Sequence, residues 1–273
     1  MPLSYSQLNT YRICPRQYEF QVIKKLPHGI SQAESFGSSV HNCLKKFGEL
    51  EMSGQSSVAS DQLAMFQQSA ATDTDHLLLT TDHLRDLWHQ SFILDTYSTR
   101  LEADFHRERG MQLLQHFFQW WSREPRHVLA VEQSFKIPID GVLLSGRMDR
   151  VEEVRGQGSG LPAVQSGIRV IDFKTSPPRS QNEADADLQL SIYALAIQEL
   201  YDMPCTELIL LYLNDDQVVE RTTSRLAGQL ADAQKQIMHL KERMDEQDFH
   251  PTPGKSVCSR CPYRGICDVA AVS

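Results

Sequence analysis

Two aspartates and a lysine near the middle of the chain have the types and the spacing that hydrolysis of a phosphodiester bond requires. Asp172 and Lys174 are two residues apart, so in a strand both side chains leave the same face. Asp149 lies in the preceding segment, and its carboxylate comes alongside if the two segments pair as strands. Carboxylate oxygens suit Mg²⁺ or Mn²⁺, which polarises a phosphate and lowers the pKa of a bound water. The lysine can then orient or deprotonate that water, or stabilise the developing charge.

An isolated D-x-K pattern more often marks a strand end with a surface cation, so its neighbours decide the interpretation. Gln189 and Tyr193 follow, four residues apart on a predicted helix, and therefore share one helix face. Upstream, His41 stands beside an apolar stripe of helical spacing and offers an imidazole as a further metal ligand. The D-x-K pattern thus belongs to a larger set of polar residues.

The elements that must position these residues change character along the chain. Residues 1–125 are predicted to form a helical N-terminal part, with Ser4 or Ser6 capping the first helix and Pro15 opening a second. Residues 53–82, rich in Ser, Thr, Gln and Asp, are predicted to be a flexible or partly helical insertion. The aromatic run at 117–121 is more typical of a core than of a base-stacking surface.

From His127 the hydrophobic period changes to two, which predicts strands. We expect them at 128–139 with a bend, 142–154, 168–173, about 208–213 and 217–222. One helix at about 184–200 and a long one at about 224–246 complete residues 126–250, the predicted catalytic core. The fold class is α/β, or α+β by a stricter definition, with a mixed sheet and a C-terminal tail at 251–273.

The six cysteines indicate a metal or cluster site rather than disulfides, because three of them crowd into the last sixteen residues without a secretory context. Cys258 and Cys261 form a C-x₂-C pair and Cys267 follows. A tetrahedral zinc or a cubane cluster needs a fourth thiolate, for which Cys14 is the candidate. The metal would then join residues 244 positions apart, since the tail is expected to be too polar to dock by burial alone. Cys43 and Cys205 are predicted to be buried thiols.

Composition restricts the classes of protein. The net charge of −8, from 27 basic and 35 acidic residues, argues against non-specific coating of nucleic acid, although a local basic groove is compatible with it. No apolar run approaches the ~20 residues of a membrane span and the first residues lack a signal-peptide pattern, so we expect a cytoplasmic protein without membrane contact. Gly254-Lys255-Ser256 is not a Walker A motif, because Phe249 stands where a glycine is needed; a helicase would be a separate partner or domain.

Taken in order, these motifs resemble the PD-(D/E)XK nuclease superfamily in its RecB-like and AddB-like branch, to which CRISPR-associated nucleases also belong. The matching residues are His41, Asp149 in G-R-M-D, Asp172 and Lys174 in D-F-K, and Gln189 and Tyr193 in Q-L-x-x-Y. The opening from Leu3 to Pro15 is also similar to the start of that family. The resemblance covers nearly the whole chain outside 53–82.

The resemblance implies a restriction-endonuclease-like mixed central sheet flanked by helices. His41, Asp149 and Asp172 would ligate Mg²⁺ or Mn²⁺ together with the Phe173 backbone carbonyl. Lys174 would be catalytic, and Gln189 and Tyr193 would position the DNA strand or the lysine. The four thiolates of Cys14, Cys258, Cys261 and Cys267 would hold a [4Fe–4S] cluster, with Zn²⁺ as the alternative. We also expect phosphate contacts by Arg16, Lys45, Arg147 and Arg179, although a single surface cation of this kind is more often only solvated.

Three functions compete at this stage. The first is a DNA nuclease, an exonuclease acting on single strands or free ends in recombination or repair, with a helicase subunit or domain as partner. The second is a non-catalytic iron–sulfur DNA-binding or scaffold domain of the same fold. The third, a zinc-stapled interaction module, leaves the D-x-K and Q-L-x-x-Y patterns unexplained. The intact set of polar residues favours the enzyme.

Overall fold

A computed structural model describes residues 2–65, 79–155 and 166–271 of the chain. Within these ranges six strands form one mixed sheet: β1 (Leu3–Ser4), β2 (His127–Ile139), β3 (Val142–Val154), β4 (Gly167–Lys174), β5 (Cys205–Leu213) and β6 (Val218–Thr223). β3 pairs antiparallel with β2 and β4, β4 pairs parallel with β5, and β5 pairs antiparallel with β6. The two-residue strand β1 pairs parallel with β3. The predicted mixed α/β class is confirmed.

Helices cover both faces of this sheet. They are α1 (Tyr5–Ile13), α2 (Pro15–Tyr18) with a π-helical turn at Glu19–Ile23, α3 (Gln32–Met65), α4 (Thr81–Ser91), α5 (Arg100–Trp121), α6 (Gln181–Asp185), α7 (Leu188–Leu200), α8 (Ala227–Asp245) and α9 (Lys255–Cys258). In the part of the chain that the structure describes, no helix is both long and apolar enough to cross a bilayer.

The β2–β3 hairpin has a register fixed by its turn. Asp140 and Gly141 have φ of 46° and 84°, the left-handed pair that suits a two-residue hairpin and that glycine adopts without steric cost. Ile139 therefore pairs with Val142, and the register continues in step until a shift between Val128 and Ala130.

The alternation of side chains along β4 and β5 divides the core in two. Val170 and Leu208 point to a cluster that includes α1, α7 and α8, whereas Ile171 and Ile209 point to a cluster that includes α3, α4 and α5. Asp172, two residues beyond Val170, consequently faces the α7 side of the sheet.

Two features differ from the sequence predictions. The single helix expected at 184–200 is two helices, because Asp187 interrupts the first and caps α7 by accepting a hydrogen bond from the Leu190 N–H. Strand β1 was not predicted.

Helix α3 continues through Met65, which agrees with the partly helical form of the predicted insertion at 53–82. Residues 66–78 and the glycine-rich stretch 156–165 lie outside the described residues.

Candidate active site

The candidate active site lies where β3 and β4 separate. Arg150 and Ile171 form the last pair of that ladder, so Asp149 and Asp172 stand just beyond it on adjacent strands. The Phe173 N–H donates to Asp149 Oδ2 at 2.8 Å, which means that a carboxylate takes a backbone hydrogen bond where ladder pairing ends. The predicted juxtaposition of the two aspartates is thus present.

A hydrogen-bonded network joins Asp172 and Lys174 to helix α7. The Lys174 ammonium lies 2.5 Å from Asp172 Oδ2 and donates to Gln189 Oε1 at 3.0 Å. Gln189 Nε2 donates to Asp172 Oδ1 at 2.9 Å and to the Tyr193 hydroxyl at 2.7 Å. That hydroxyl also lies 3.0 Å from Asp172 Oδ1 and 2.9 Å from the Arg147 carbonyl oxygen. Because both amide hydrogens and the amide oxygen of Gln189 are used, its orientation is fixed.

The charges of this network stabilise one another. Burial raises the pKa of Asp172, and the nearby Asp149 charge raises it further, while the Lys174 ammonium opposes both. Burial alone lowers the pKa of Lys174, but the Asp172 carboxylate raises it above its ordinary value. Lys174 is therefore an ammonium at neutral pH, which suits stabilisation of negative charge better than proton abstraction.

His41 approaches the same aspartates from helix α3. Its Nδ1 lies 3.4 Å from Asp149 Oδ2, and its ring packs edge-on against Phe173. Burial lowers the pKa of His41, but the hydrogen bond and charge of Asp149 outweigh this effect and raise it. His41 and Asp149 thus approach one another from two separate elements, and Asp172 lines the same cleft.

A cleft of about 500 Å³ gives access to these groups. Besides the predicted residues, Ser4, Tyr5 and Ser6 line it, because β1 pairs with Leu144 and Ser145 of β3 and so brings the N-terminus of α1 to the site. This wall was not predicted from the sequence. The pairing joins residues about 140 positions apart, for which a two-residue strand gives no local signal.

Glu132 was also missed. Its carboxylate, His41 and Asp149 offer ligand atoms that all lie within 4.8 Å of one another, and within the described residues no other group of His, Cys, Asp or Glu does so. A usable signal did exist in the sequence. Asp140-Gly141 predicts a two-residue hairpin turn, and counting outward from it places Glu132 opposite Asp149, between the observed pairs of Val131 with Arg150 and Gln133 with Met148.

The cations expected to contact phosphate are each paired with a carboxylate: Arg16 with Glu19, Lys45 with Glu49, Arg147 with Glu132, and Arg179 with Asp187. Arg147 lines the cleft, whereas Arg16 lines a different cavity. Arg16 therefore lies at the second cavity, and its phosphate contact stays a prediction.

That second cavity, the cysteine cavity, is lined by Cys14, Cys258, Cys261 and Cys267. Burial acts to raise the pKa of Cys14, but hydrogen bonds from the backbone N–H groups of Thr252 and Gln17 lower it. A thiol whose pKa is lowered by fixed donors is more easily present as the thiolate that binds metal. Cys43 is buried as expected, and Cys205 is partly buried; burial raises the pKa of each to about 12.

The tail makes more buried contact than its polarity suggested. Tyr263 is 2% exposed, packs edge-on against Phe20 and donates its hydroxyl hydrogen to the Leu26 carbonyl at 3.0 Å. Thr252 donates to the Ile13 carbonyl at 2.6 Å. One buried aromatic residue thus anchors the tail, and its further attachment through a metal at Cys14 stays a prediction.

The sequence profile of the PD-(D/E)XK nuclease superfamily matches residues 2–268 of this chain. The chain belongs to that superfamily. Membership of the PD-(D/E)XK superfamily implies a metal-dependent nuclease, and the fold predicted from the resemblance, a mixed sheet flanked by helices, is confirmed.

Two phage proteins are similar to the chain. Gene 69 protein of Mycobacterium phage D29 is 26% identical over 209 residues, which cover 74% of this chain and 71% of the phage protein. Gene 69 protein of Mycobacterium phage L5 is 22% identical over 300 aligned positions, covering 98% of this chain and 97% of the phage protein. The alignment with the crystal structure of SSO0001 covers 63% of this chain and 77% of that one, at 18% identity and a TM-score of 0.36. A TM-score this low carries no argument about the present chain.

The residues at the cleft fit the divalent ion that such nucleases use. Asp149, Asp172 and His41 supply two carboxylates and an imidazole, and hard divalent ions prefer oxygen ligands. Asp172 is 2% exposed, and its Oδ2 lies 2.5 Å from the Lys174 ammonium. A buried carboxylate oxygen beside a second carboxylate is suited to a cation.

Proposed function

We propose that this PD-(D/E)XK protein is a Mg²⁺- or Mn²⁺-dependent deoxyribonuclease. The observation that carries the proposal is the convergence of Asp149, Asp172 and Lys174 in one cleft, at the point where β3 and β4 separate. A scaffold domain would have no need of the Gln189 amide, which uses its oxygen and both hydrogens to hold Asp172, Lys174 and Tyr193.

Each residue has a distinct part in the proposed reaction. His41, Asp149 and Asp172 would hold the ion with the Phe173 carbonyl, and the ion would polarise the phosphate and lower the pKa of a bound water. Lys174 presents an ammonium to the charge that develops on the phosphate. Gln189 and Tyr193 keep Lys174 and Asp172 in position, so they act through those residues.

We further propose that the substrate is single-stranded DNA or a DNA end. The cleft has Ser4, Tyr5 and Ser6 on one side and His41 of α3 on another, so the reacting groups lie inside a walled space of about 500 Å³. Single-stranded DNA bends into such a space at little cost, whereas duplex DNA is stiff over about 150 base pairs. Digestion from ends is the activity expected of a nuclease in recombination or repair, and a cytoplasmic helicase is the expected partner.

The experiment compares linear and closed circular single-stranded DNA of the same sequence, each internally labelled, with Mg²⁺ or Mn²⁺. We expect faster loss of the linear substrate and short oligonucleotide products. Equal rates on the two substrates would identify an endonuclease and exclude the requirement for an end. No cleavage of either by the metal-loaded protein would exclude the nuclease itself.

We propose that the four cysteines of the cysteine cavity hold a [4Fe–4S] cluster, with Zn²⁺ as the alternative. What supports the proposal is that Cys14, from the start of the chain, lines the same cavity as Cys258, Cys261 and Cys267. We propose that the cluster ties Cys14 of the N-terminal part to the three cysteines of the tail and acts structurally.

Purification without oxygen tests this proposal. Brown protein with about four iron and four sulfide per chain, bleached by dithionite, is the expected result. Cys14→Ser and Cys258→Ser should lose the colour, whereas Cys205→Ser, outside the cavity, should keep it. Colourless protein with one zinc per chain would refute the cluster and leave the nuclease proposal intact.

A further inference from the structure

Glu132 occupies an unusual place in β2. It is a non-glycine residue with φ of 53°, in the middle of a 13-residue strand and opposite Asp149 in the hairpin register. Such a conformation is costly for a residue with a β-carbon and persists where its surroundings impose it. It places the Glu132 carboxylate within 4.8 Å of ligand atoms of both Asp149 and His41, close enough for the three to share one ion.

Arg147 neutralises this carboxylate. Its Nε contacts Glu132 Oε2, and within the described residues this is the one ion pair of Glu132. The two side chains differ in exposure: Glu132 is 12% exposed and Arg147 is 64% exposed. Arg147 lines the cleft and Glu132 does not, so the paired state presents a bound guanidinium to incoming substrate.

We infer that Glu132 is a further metal ligand and that Arg147 is its exchangeable counter-ion, which moves to a DNA phosphate when the metal binds. The inference rests on the proposed function. An ion shared by His41, Asp149 and Glu132 takes over the neutralisation of Glu132. The exposed Arg147, two residues before Asp149 on β3, then becomes free to pair with the substrate strand. Metal and DNA therefore bind with positive coupling, because each removes one partner of the same ion pair.

Titration calorimetry with Mn²⁺ in the absence of DNA tests the ligand. Glu132→Gln should bind Mn²⁺ at least about 10-fold more weakly, the size seen when support of a metal site is lost. Arg147→Gln should bind it roughly 2–5-fold more tightly, since a partly exposed ion pair no longer competes. If Arg147 serves only to hold Glu132 in place, Arg147→Gln instead weakens Mn²⁺ binding, and the exchange is refuted.

Matched controls come from the far end of the same hairpin. Arg155 is 67% exposed and pairs with Glu153 at 2.9 Å, so it resembles Arg147 in exposure and in having a carboxylate partner. Arg155→Gln and Glu153→Gln should leave the Mn²⁺ affinity unchanged. Thermal unfolding without metal shows whether each variant is folded, and Arg147→Lys retains the charge if Arg147→Gln does not fold.

DNA binding tests the second half of the inference. Affinity for a single-stranded oligonucleotide is measured with and without Ca²⁺, which we expect to support binding without turnover. Ca²⁺ should raise the affinity of the wild type for the oligonucleotide. Arg147→Gln should lose most of this gain, and with Ca²⁺ the slope of log affinity against log salt concentration should fall by about one unit. Without Ca²⁺, its affinity for the oligonucleotide should be close to that of the wild type. An equal loss with and without Ca²⁺ would overturn the exchange. Wild-type protein that binds no Mn²⁺ would instead refute the proposed function, whereas Mn²⁺ binding unaffected by Glu132→Gln refutes this inference alone.

Discussion

Replacement of Glu51 tests how helix α3, which carries His41, is held on the sheet. Glu51 is ten residues beyond His41, nearly three turns along the helix, and is 8% exposed. Its Oε2 lies 2.8 Å from Arg150 Nη1, and its Oε1 accepts a hydrogen bond from Trp121 Nε1 at 3.1 Å. Arg150 also donates to Glu152 Oε1 at 2.6 Å. Glu51 therefore joins α3 to the strand that bears Asp149.

The expected loss of stability follows from the charges that remain when Glu51 is replaced. Without Glu51, Arg150 keeps only Glu152 as an ion-pair partner among the described residues, and Glu152 also pairs with Arg126 and Arg169. The side chains of Arg150 and Glu152 are 3% and 1% exposed. Loss of one partner from a buried ion pair costs about 3–5 kcal/mol. Glutamine keeps a hydrogen-bond acceptor for Trp121, and Arg150 keeps its pair with Glu152. We therefore expect Glu51→Gln to lower the free energy of unfolding by about 3 kcal/mol, the lower end of this range.

Urea denaturation of the metal-free protein, followed by circular dichroism, measures this change in the free energy of unfolding. Glu49→Gln is the control, because Glu49 is 55% exposed and lies 3.8 Å from Lys45 on the same helix; we expect a loss below about 0.5 kcal/mol. Mn²⁺ affinity should also fall in Glu51→Gln, since His41 is no longer held as firmly. If Glu51→Gln is no less stable than Glu49→Gln, the ion pair does not anchor α3.

Two other predictions concern the site's packing and its pH dependence. Gly146→Ala should lower the free energy of unfolding by about 1–3 kcal/mol and reduce cleavage, because the new β-carbon would lie 2.4 Å from Phe135 Cζ. Gly228→Ala is the control, since a β-carbon there meets no atom within 4 Å. Similar melting temperatures for both variants would contradict the packing argument. The pKa of His41 is raised in the folded protein, so protonated His41 paired with Asp149 stabilises the metal-free protein. This contribution to the free energy of unfolding is complete below the unfolded pKa of about 6.5. It is lost as the pH rises through the folded pKa. Mn²⁺ affinity should fall as the pH decreases through the same range, because the proton and the metal compete for the imidazole. His41→Asn should flatten the pH profiles of both stability and Mn²⁺ affinity. An Mn²⁺ profile unchanged in this variant would exclude His41 as a ligand.

The sequence predicted what depends on local periodicity. Asp172 and Lys174 share a face because strands have a period of two, and Gln189 and Tyr193 share a face because they are four apart on a helix; both pairs meet in one network. For Glu132, the Asp140-Gly141 turn indicates the register that places it opposite Asp149, but its left-handed φ has no local signal in the sequence.

The parts of the site built by long-range pairing were also beyond sequence analysis. The wall formed by Ser4 and Tyr5 exists because two residues of β1 pair with β3, an interaction too short to produce a pattern. The tail's anchor depends on a single residue, Tyr263, buried against Phe20 from the opposite end of the chain. One aromatic residue in a polar segment does not indicate which surface it will reach.

The most direct test of the central claim is cleavage of end-labelled single-stranded DNA by the wild type, Asp172→Asn and Lys174→Ala, with Mn²⁺ binding measured on the same samples. We predict that the wild type cleaves only with Mg²⁺ or Mn²⁺ and that both variants lose cleavage while remaining folded. Asp172→Asn should also lose Mn²⁺ affinity, whereas Lys174→Ala should retain it, because one residue holds the ion and the other stabilises charge on the phosphate. Metal-dependent cleavage by either variant at the wild-type rate would contradict the assignment of the active site.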